Sequence, residues 1–200
     1  YNEDAVNVGN ATFYRSTKPM FRLQSNLWSS PVKGLKLVDF SPRTLKNRFY
    51  TYDSYTDLWA NLPDIENATF EEGIGYSIRV PNNFNNYTDE NSVPKIFQGV
   101  FKGVPMNGYL DLDLENYQYS SRYHLIGNPY PSPISVIDFF AANSSNLGPD
   151  SALYFWRKRN DITATSYATL TMDAFTANAA IGGGSEWADF FNIETNPSDW

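Results

Sequence analysis

Short segments in which bulky and polar residues alternate recur along this sequence, and turn-forming residues separate them. In residues 75–80, for example, Tyr76, Ile78 and Val80 share one face of an extended chain, and Pro81 ends the pattern. An alternation of period two is typical of a β-strand with one buried face. About eight or nine such segments predict a mainly β fold, namely an antiparallel β-sandwich or jelly-roll-like domain with one short helix.

The same pattern predicts strands elsewhere in the chain. They lie at residues 22–28, 48–52, 95–101, 109–114, 152–157 and 166–171. The dipeptide Asn107-Gly108 stands between two of these segments and predicts a β-hairpin whose return strand is 109–114. Gly99 lies inside its strand segment and predicts a bulge.

One segment has helical rather than strand-like character. Residues 135–143 begin with Ser135, a favoured helix-capping residue, and Asp138 follows three positions later, as in a capping box. Apolar residues inside the segment recur at helical spacing. A short helix is therefore predicted here, and no other segment shows a comparable pattern.

The length of 200 residues fits a single β-rich domain. Residues 1–12 are rich in Asn and weakly patterned, so they are interpreted as either a linker or an edge strand. Residues 177–200 carry weak strand signals and are interpreted as an incomplete C-terminal extension. We expect the chain to be an internal piece of a longer mature protein, in which a strand from beyond residue 200 or from a neighbouring chain completes the sheet.

Charge and cysteine content exclude several classes of protein. The 22 acidic and 15 basic residues give a net charge of −7, which argues against nucleic-acid binding because phosphates require a basic face. The absence of Cys excludes disulfide scaffolds, thiolate zinc sites and cysteine nucleophiles. No apolar stretch approaches the length of about 18 residues that spans a membrane.

Several segments together resemble a known group of proteins. They are residues 27–32 (LWSSPV), 40–44 (FSPRT), 48–52 (RFYTY), 73–78 (GIGYSI), 97–101 (FQGVF), 105–108 (PMNG), 124–133 (HLIGNPYPSP) and 153–156 (LYFW). Their order and spacing are similar to those of β-rich modules in large secreted cell-surface proteins of Bacteroidetes, especially flavobacteria, that are exported by type IX secretion. The resemblance implies an extracellular or outer cell-surface location. It implies no catalytic residues.

The most distinctive segment of the chain is the proline-rich run at residues 128–133. Asn128 favours local hydrogen bonds with the backbone, while Pro129 and Pro131 on either side of Tyr130 restrict the chain. Such a run is either a recognition loop or a rigid structural turn with one cis X-Pro bond. The structural interpretation is preferred because prolines in a turn lower the entropy of the unfolded chain.

Histidine and carboxylate residues are the candidates for chemistry. His124 is the only histidine, so a multi-histidine metal site is excluded, and a packed or surface role is expected for it. Asp111, Asp113 and Glu115 project from one face of the predicted return strand. Carboxylates of this kind are either calcium ligands or a solvated face that resists edge pairing, and Ca²⁺ is the only cofactor that the sequence suggests.

Aromatic residues outnumber what is usual and suggest contacts with sugars. Tyr117 and Tyr119 are flanked by polar residues and are the first candidates for an exposed ligand-binding pair. A second group comprises Tyr50, Tyr52, Tyr55 and Trp59. Aromatic rings stack on the apolar faces of sugars while their polar atoms stay hydrated. The alternative is that the core of the sandwich takes up most of these rings.

These features favour a non-enzymatic function. The chain is interpreted as a module of a large secreted bacterial surface protein with a role in adhesion or surface architecture; the alternative is a carbohydrate-binding module attached to a polysaccharide-acting enzyme. Expected partners are other domains of the same chain, surface glycans and components of the secretion system. Ser151 lies in an Asp-Ser-Ala sequence of the kind that Bacteroidetes O-glycosylate, which makes it a candidate glycosylation site.

Overall fold

The computed structural model describes residues 6–115, 123–148, 151–156, 167–171 and 175–176. Their regular secondary structure consists mainly of antiparallel β-strands, which confirms the predicted fold class. The chain divides into two compact units, residues 1–133 and 134–200. The expectation that residues 1–200 act as one domain stays a prediction.

The first unit contains two antiparallel sheets. Its described strands are β1 (Ala11–Ser16), β2 (Ser25–Trp28), β3 (Phe49–Asp53), β4 (Leu58–Asn61), β5 (Tyr76–Arg79) and β6 (Gln98–Gly103). One sheet pairs β1 with β6, and the other has the order β2-β5-β3-β4. A one-turn helix α1 (Leu37–Phe40) and a 3₁₀ turn (Lys46–Arg48) lie between β2 and β3.

The core of this unit draws side chains from both sheets. Trp28, Phe49 and Ile78 of the four-stranded sheet share one buried cluster with Phe101 of the two-stranded sheet. Helix α1 adds Phe40, whose ring centroid lies 5.0 Å from that of Trp28 and 4.8 Å from that of Phe101. A core held between two antiparallel sheets is the arrangement of a sandwich-like domain.

The predicted bulge at Gly99 is wrong, because this glycine keeps a regular register opposite Arg15 of β1. Its role is to leave room for an aromatic ring. A Cβ atom added at Gly99 would lie 2.7 Å from Cε2 of Phe40 and 3.1 Å from Cζ3 of Trp28. The glycine therefore lets the two rings pack directly against the backbone of β6.

The predicted return strand at residues 109–114 is also wrong. The segment joins no sheet, because β6 takes β1 as its antiparallel partner instead. Leu110 and Leu112 do point inward as expected: a Cβ atom at Gly73 would lie 2.8 Å from a methyl carbon of each. The segment is thus held by its leucine side chains rather than by a backbone ladder, and the carboxylates between them face solvent.

The second unit contains helix α2 (Val136–Ala142) and the antiparallel strands β7 (Leu153–Trp156), β8 (Tyr167–Leu170) and β9 (Phe175–Thr176). The predicted helix is confirmed, together with its cap: Ser135 Oγ accepts a hydrogen bond of 3.3 Å from the backbone N–H of Asp138. In the described part of the chain, neither helix has the length and apolar character needed to cross a membrane.

Candidate functional site

The proline-rich run at residues 128–133 folds as a structural turn. Asn128 Oδ1 accepts a hydrogen bond of 2.8 Å from the N–H of Tyr130, and its amide nitrogen donates one of 2.7 Å to the carbonyl of Ser132. The hydroxyl of Tyr130 donates to the carbonyl of Gly108 at 2.7 Å, and the guanidinium of Arg15 donates to the carbonyl of Tyr130 at 3.1 Å. The turn therefore fastens two distant segments of the first unit to each other.

The prolines of this turn need no cis bond. Every described peptide bond is trans, so the expected cis X-Pro bond is absent from the turn. Pro129 is buried and Pro131 is exposed.

The first glycan candidates, Tyr117 and Tyr119, lie outside the described residues. The three predicted calcium ligands, Asp111, Asp113 and Glu115, are exposed on a segment without β-pairing. Among the described residues, no group of three or more His, Cys, Asp or Glu side chains converges on a point where a metal ion would fit. Calcium binding at these three residues stays a prediction.

Ser151, the candidate glycosylation site, is half-buried just before β7 in the second unit. Its backbone N–H donates a hydrogen bond of 3.0 Å to the carbonyl of Gly148. Glycosylation there likewise stays a prediction.

His124 ties two segments of the first unit together. Its Nε2 lies 3.0 Å from the backbone carbonyl of Glu115, and its Nδ1 lies 3.0 Å from Oγ of Ser54. A carbonyl can only accept, so Nε2 donates its N–H to Glu115, and Nδ1 shares a hydrogen bond with the serine hydroxyl. A Ser–His pair is one part of a hydrolytic site, but here a backbone carbonyl occupies the position that a carboxylate has in a triad.

Three residues of the second aromatic group, Tyr50, Tyr52 and Trp59, lie on β3 and β4, and Tyr55 lies in the loop between these strands. Phe49 is buried in the core, so the pleat turns Tyr50 and Tyr52 to the opposite side of the sheet. Trp59 stands directly across from Tyr52, and the two rings form an edge-to-face pair with centroids 5.6 Å apart. Trp59 keeps 44% of its surface exposed. The rings of Tyr50, Tyr52 and Trp59 therefore lie outside the core.

We call this side of the four-stranded sheet the outer face. It consists of the outward-pointing residues Ser25, Leu27, Tyr50, Tyr52, Trp59, Asn61, Ser77 and Arg79. Leu27, Ser77, Tyr50 and Asn61 form one continuous row, since each is the register partner of the next. The outer face therefore offers aromatic rings, a hydroxyl and an amide side by side.

The loop between β3 and β4 is ordered by carboxylates. Asp53 accepts hydrogen bonds from the hydroxyl of Thr56 at 2.8 Å and from the N–H of Tyr55 at 2.9 Å. These bonds, that of Thr56 first, hold the pKa of Asp53 below its ordinary value. Asp57 has a φ of 58° and accepts a hydrogen bond from the hydroxyl of Tyr52. The loop thus fixes the Tyr52 ring of the aromatic pair.

The other end of the outer face is cationic. The pairing of β3 with β5 places Arg48, just before β3, next to Arg79 at the end of β5. The Nε of Arg79 also donates a hydrogen bond of 3.1 Å to the backbone carbonyl of Arg22. Burial lowers the pKa of the Arg79 guanidinium, and the positive charges of Arg48 and Arg22 lower it further. The electrostatic interaction with Tyr50 raises the pKa of Arg79 instead. We call Arg22, Arg48 and Arg79 the arginine cluster.

A cavity of about 730 Å³ opens near this cluster. Its lining consists of residues Pro42, Arg43, Thr44, Leu45, Lys46, Asn47, Asn82 and Asn83. Asn82 belongs to both sites, because its side chain accepts a hydrogen bond of 2.9 Å from Nε of Arg22. The cavity therefore continues the cationic and amide-rich surface of the cluster.

The sequence interpretation found the aromatic group but missed the arginine cluster. One signal was available: Arg79 alternates with buried residues in β5 and must therefore face outward. Its position next to Arg48 depends on the pairing of two strands far apart in the chain, which no local pattern reveals.

The fold and this face define a β-sandwich-like unit with an exposed aromatic and cationic surface. The chain belongs to the family of a domain of unknown function, DUF8693, whose profile matches residues 1–191. No curated protein and no solved structure matched the chain.

Proposed function

We propose that the chain is a non-catalytic, glycan-binding module of a bacterial cell-surface protein, and that the outer face of its first unit holds the glycan. This role serves adhesion directly. It also agrees with the alternative of a carbohydrate-binding module attached to a polysaccharide-acting enzyme. The single observation that carries the proposal is the edge-to-face pair of the half-buried Tyr52 and the exposed Trp59 on the side of the sheet opposite the core.

The chemistry of the outer face suits a sugar chain. Aromatic rings bury the apolar C–H face of a pyranose, and their position on rigid strands keeps the entropic cost of binding low. Asn61 and Ser77 in the neighbouring row supply an amide and a hydroxyl for the hydroxyl groups of the sugar. An open strand face also accommodates an extended polymer more readily than a deep pocket does.

The cellular location is part of the proposal. An extracellular or outer cell-surface position is supported by the resemblance of residues 124–133 and the other segments to secreted surface modules. Other domains of the same long chain, surface glycans and secretion-system components are the partners proposed with it.

The proposal assigns binding rather than catalysis to this unit. Ser54 pairs with the imidazole of His124, whose other ring nitrogen, Nε2, is hydrogen-bonded to the backbone carbonyl of Glu115. That geometry supports a structural tie between segments. Release of sugar by the wild-type protein from a polysaccharide panel, abolished by Ser54→Ala, would contradict the non-catalytic assignment.

Affinity electrophoresis through gels that contain a panel of neutral and acidic polysaccharides tests binding. We expect retardation in at least one gel, and about tenfold weaker binding, or roughly 1.4 kcal/mol, for Tyr52→Ala and for Trp59→Ala. Tyr14→Ala is the matched control, since Tyr14 is 62% exposed on the other sheet.

Retardation by no polysaccharide would reject glycan binding and favour a purely architectural module. Equal losses in Tyr14→Ala and Trp59→Ala would reject the outer face as the site.

A further inference from the structure

The arginine cluster concentrates positive charge on an acidic chain. The sequence has a net charge of −7, yet Arg22, Arg48 and Arg79 lie together at one end of the outer face. Like charges side by side on adjacent strands destabilise a sheet. A chain with 22 carboxylates could neutralise such a cluster easily, so its composition does not impose the arrangement.

The described residues give these arginines only neutral partners. Arg22 donates to side-chain oxygens of Asn82 and Asn86, Arg79 donates to a backbone carbonyl, and Arg48 donates to the hydroxyl of Tyr50. The two ion pairs found among the described residues join Lys33 to Glu72 and Lys46 to Glu66, and neither involves the cluster. The positive charge of the cluster is therefore not compensated within the described part of the chain.

The cavity beside the cluster adds groups of the same character. Arg43 and Lys46 line it together with the amides of Asn47 and Asn82. Within the described ranges, Lys46 has a carboxylate partner, Glu66, and Arg43 has none. Amides form hydrogen bonds with hydroxyl groups, and cations attract anionic groups. The lining of the cavity therefore suits a ligand that carries hydroxyl groups as well as negative charge.

We propose that the glycan bound on the outer face carries carboxylates, as polymers of uronic acids do, and that the arginine cluster binds those carboxylates while Tyr52 and Trp59 hold the sugar rings. This inference rests on the proposed function. A guanidinium is planar and presents parallel N–H groups to a carboxylate, which is itself planar. The hydrogen bond from Arg48 to Tyr50 makes the cationic and aromatic parts of the face continuous.

The test compares polyuronates with their own uncharged forms. Polygalacturonate, alginate and hyaluronan are each presented to the protein beside a carboxyl-reduced preparation of the same polymer, and binding is measured by affinity electrophoresis. We expect at least one polyuronate to bind ten times more tightly than its reduced form. We also expect this preference to shrink as NaCl rises from 0.05 to 0.5 M, because salt screens charge pairs at a surface.

Variants then locate the preference. Arg48→Gln, Arg79→Gln and the double variant should bind the reduced polymer as the wild type does but lose the preference for the polyuronate. Lys102→Gln removes one positive charge from the exposed surface of β6 and should keep it. Thermal melts of all four proteins show that each one is folded.

The outcomes separate the two claims. Equal binding of a polyuronate and its reduced form would overturn this inference while leaving glycan binding intact. Binding only to a sulfated galactan, lost when the polymer is desulfated, would overturn the choice of carboxylates. Loss of the preference in Lys102→Gln as well would reject the cluster as its source, and binding to no glycan at all would reject the proposed function itself.

Discussion

The guanidinium of Arg48 donates a hydrogen bond of 3.1 Å to the hydroxyl of Tyr50. Arg48 belongs to the arginine cluster, whereas Tyr50 stands next to Tyr52 in the line of outward-facing aromatic residues along β3. Alternate residues of a strand lie about 7 Å apart, so the cationic and aromatic groups follow one another along a single direction. That direction is the one along which we place a bound glycan.

The arginine cluster should reduce the stability of the fold. Arg48 lies next to the like charge of Arg79, and its Nε is buried with no acceptor among the described residues. Arg48→Gln removes the like-charge contact and the buried Nε. The free energy of unfolding of this variant at low salt should therefore exceed that of the wild type by about 0.5 kcal/mol. Urea titration measures this change, with Lys102→Gln as the control that loses one positive charge elsewhere. A destabilised Arg48→Gln would show that the arginine stabilises the sheet rather than serving a ligand.

The packing of Phe40 against Gly99 should tolerate no added methyl group. The ring of Phe40 lies between Trp28, Phe70, Phe97 and Phe101 and cannot retreat from a Cβ atom placed 2.7 Å away. Gly99→Ala should therefore lower the free energy of unfolding by about 1–3 kcal/mol, as overpacking of a core does.

Gly148→Ala is the control, because a Cβ atom there meets nothing within 4 Å. Chemical denaturation of both variants gives the comparison. A Gly99→Ala protein as stable as wild type would mean that the ring and the strand are farther apart than described.

The turn at residues 128–133 should depend on a single hydroxyl. Tyr130→Phe keeps the ring but leaves the carbonyl of Gly108 without its 2.7 Å hydrogen bond, which should cost about 1 kcal/mol of stability. Tyr109→Phe, at a residue that is 84% exposed, should change the melting temperature little. Equal melting temperatures for the two variants would show that the hydrogen bond from Tyr130 to Gly108 does not stabilise the fold.

The β3–β4 loop should loosen in acid. The pKa of Asp53 is lower in the folded protein than its ordinary value, so the ionised carboxylate stabilises the loop. That contribution is complete above the unfolded-state pKa of about 3.9 and disappears as the pH falls through the lower folded pKa.

Proton NMR of the amide of Tyr55 reports this change, since its N–H donates to Asp53. We expect its resonance to titrate below pH 3.9 in the wild type. In Asp53→Asn this titration should disappear, and its persistence would assign the effect to another group.

Local patterns in the sequence predicted much of the fold because they depend only on neighbouring residues. The alternation of Tyr76, Ile78 and Val80 placed all three in the core, and Ser135 and Asp138 marked the start of helix α2 correctly. Strand β1 was missed because its first two residues fall in the segment 1–12, which was interpreted as a linker or an edge strand, and because its adjacent bulky residues Phe13 and Tyr14 hide the alternation.

The errors arose where distant residues decide the structure. The Asn107-Gly108 pair has the local chemistry of a hairpin turn, but β6 pairs with β1, more than eighty residues earlier in the chain. Gly99 resembled a bulge because no sequence pattern shows the ring of Phe40 lying against it. The arginine cluster likewise requires the register of β3 against β5, which sequence spacing alone does not specify.

The most direct test of glycan binding on the outer face is chemical-shift mapping. An isotope-labelled sample of the whole chain is titrated with an oligosaccharide of the polyuronate that binds most tightly in affinity electrophoresis, and both the backbone amides and the indole N–H of Trp59 are followed. The account predicts that the largest changes fall on Trp59, on residues 50–52 and on Ser77 and Arg79, with little change at Tyr14 on the other sheet. Changes confined to the other sheet or to residues 109–115, or no change at saturating ligand, would contradict it.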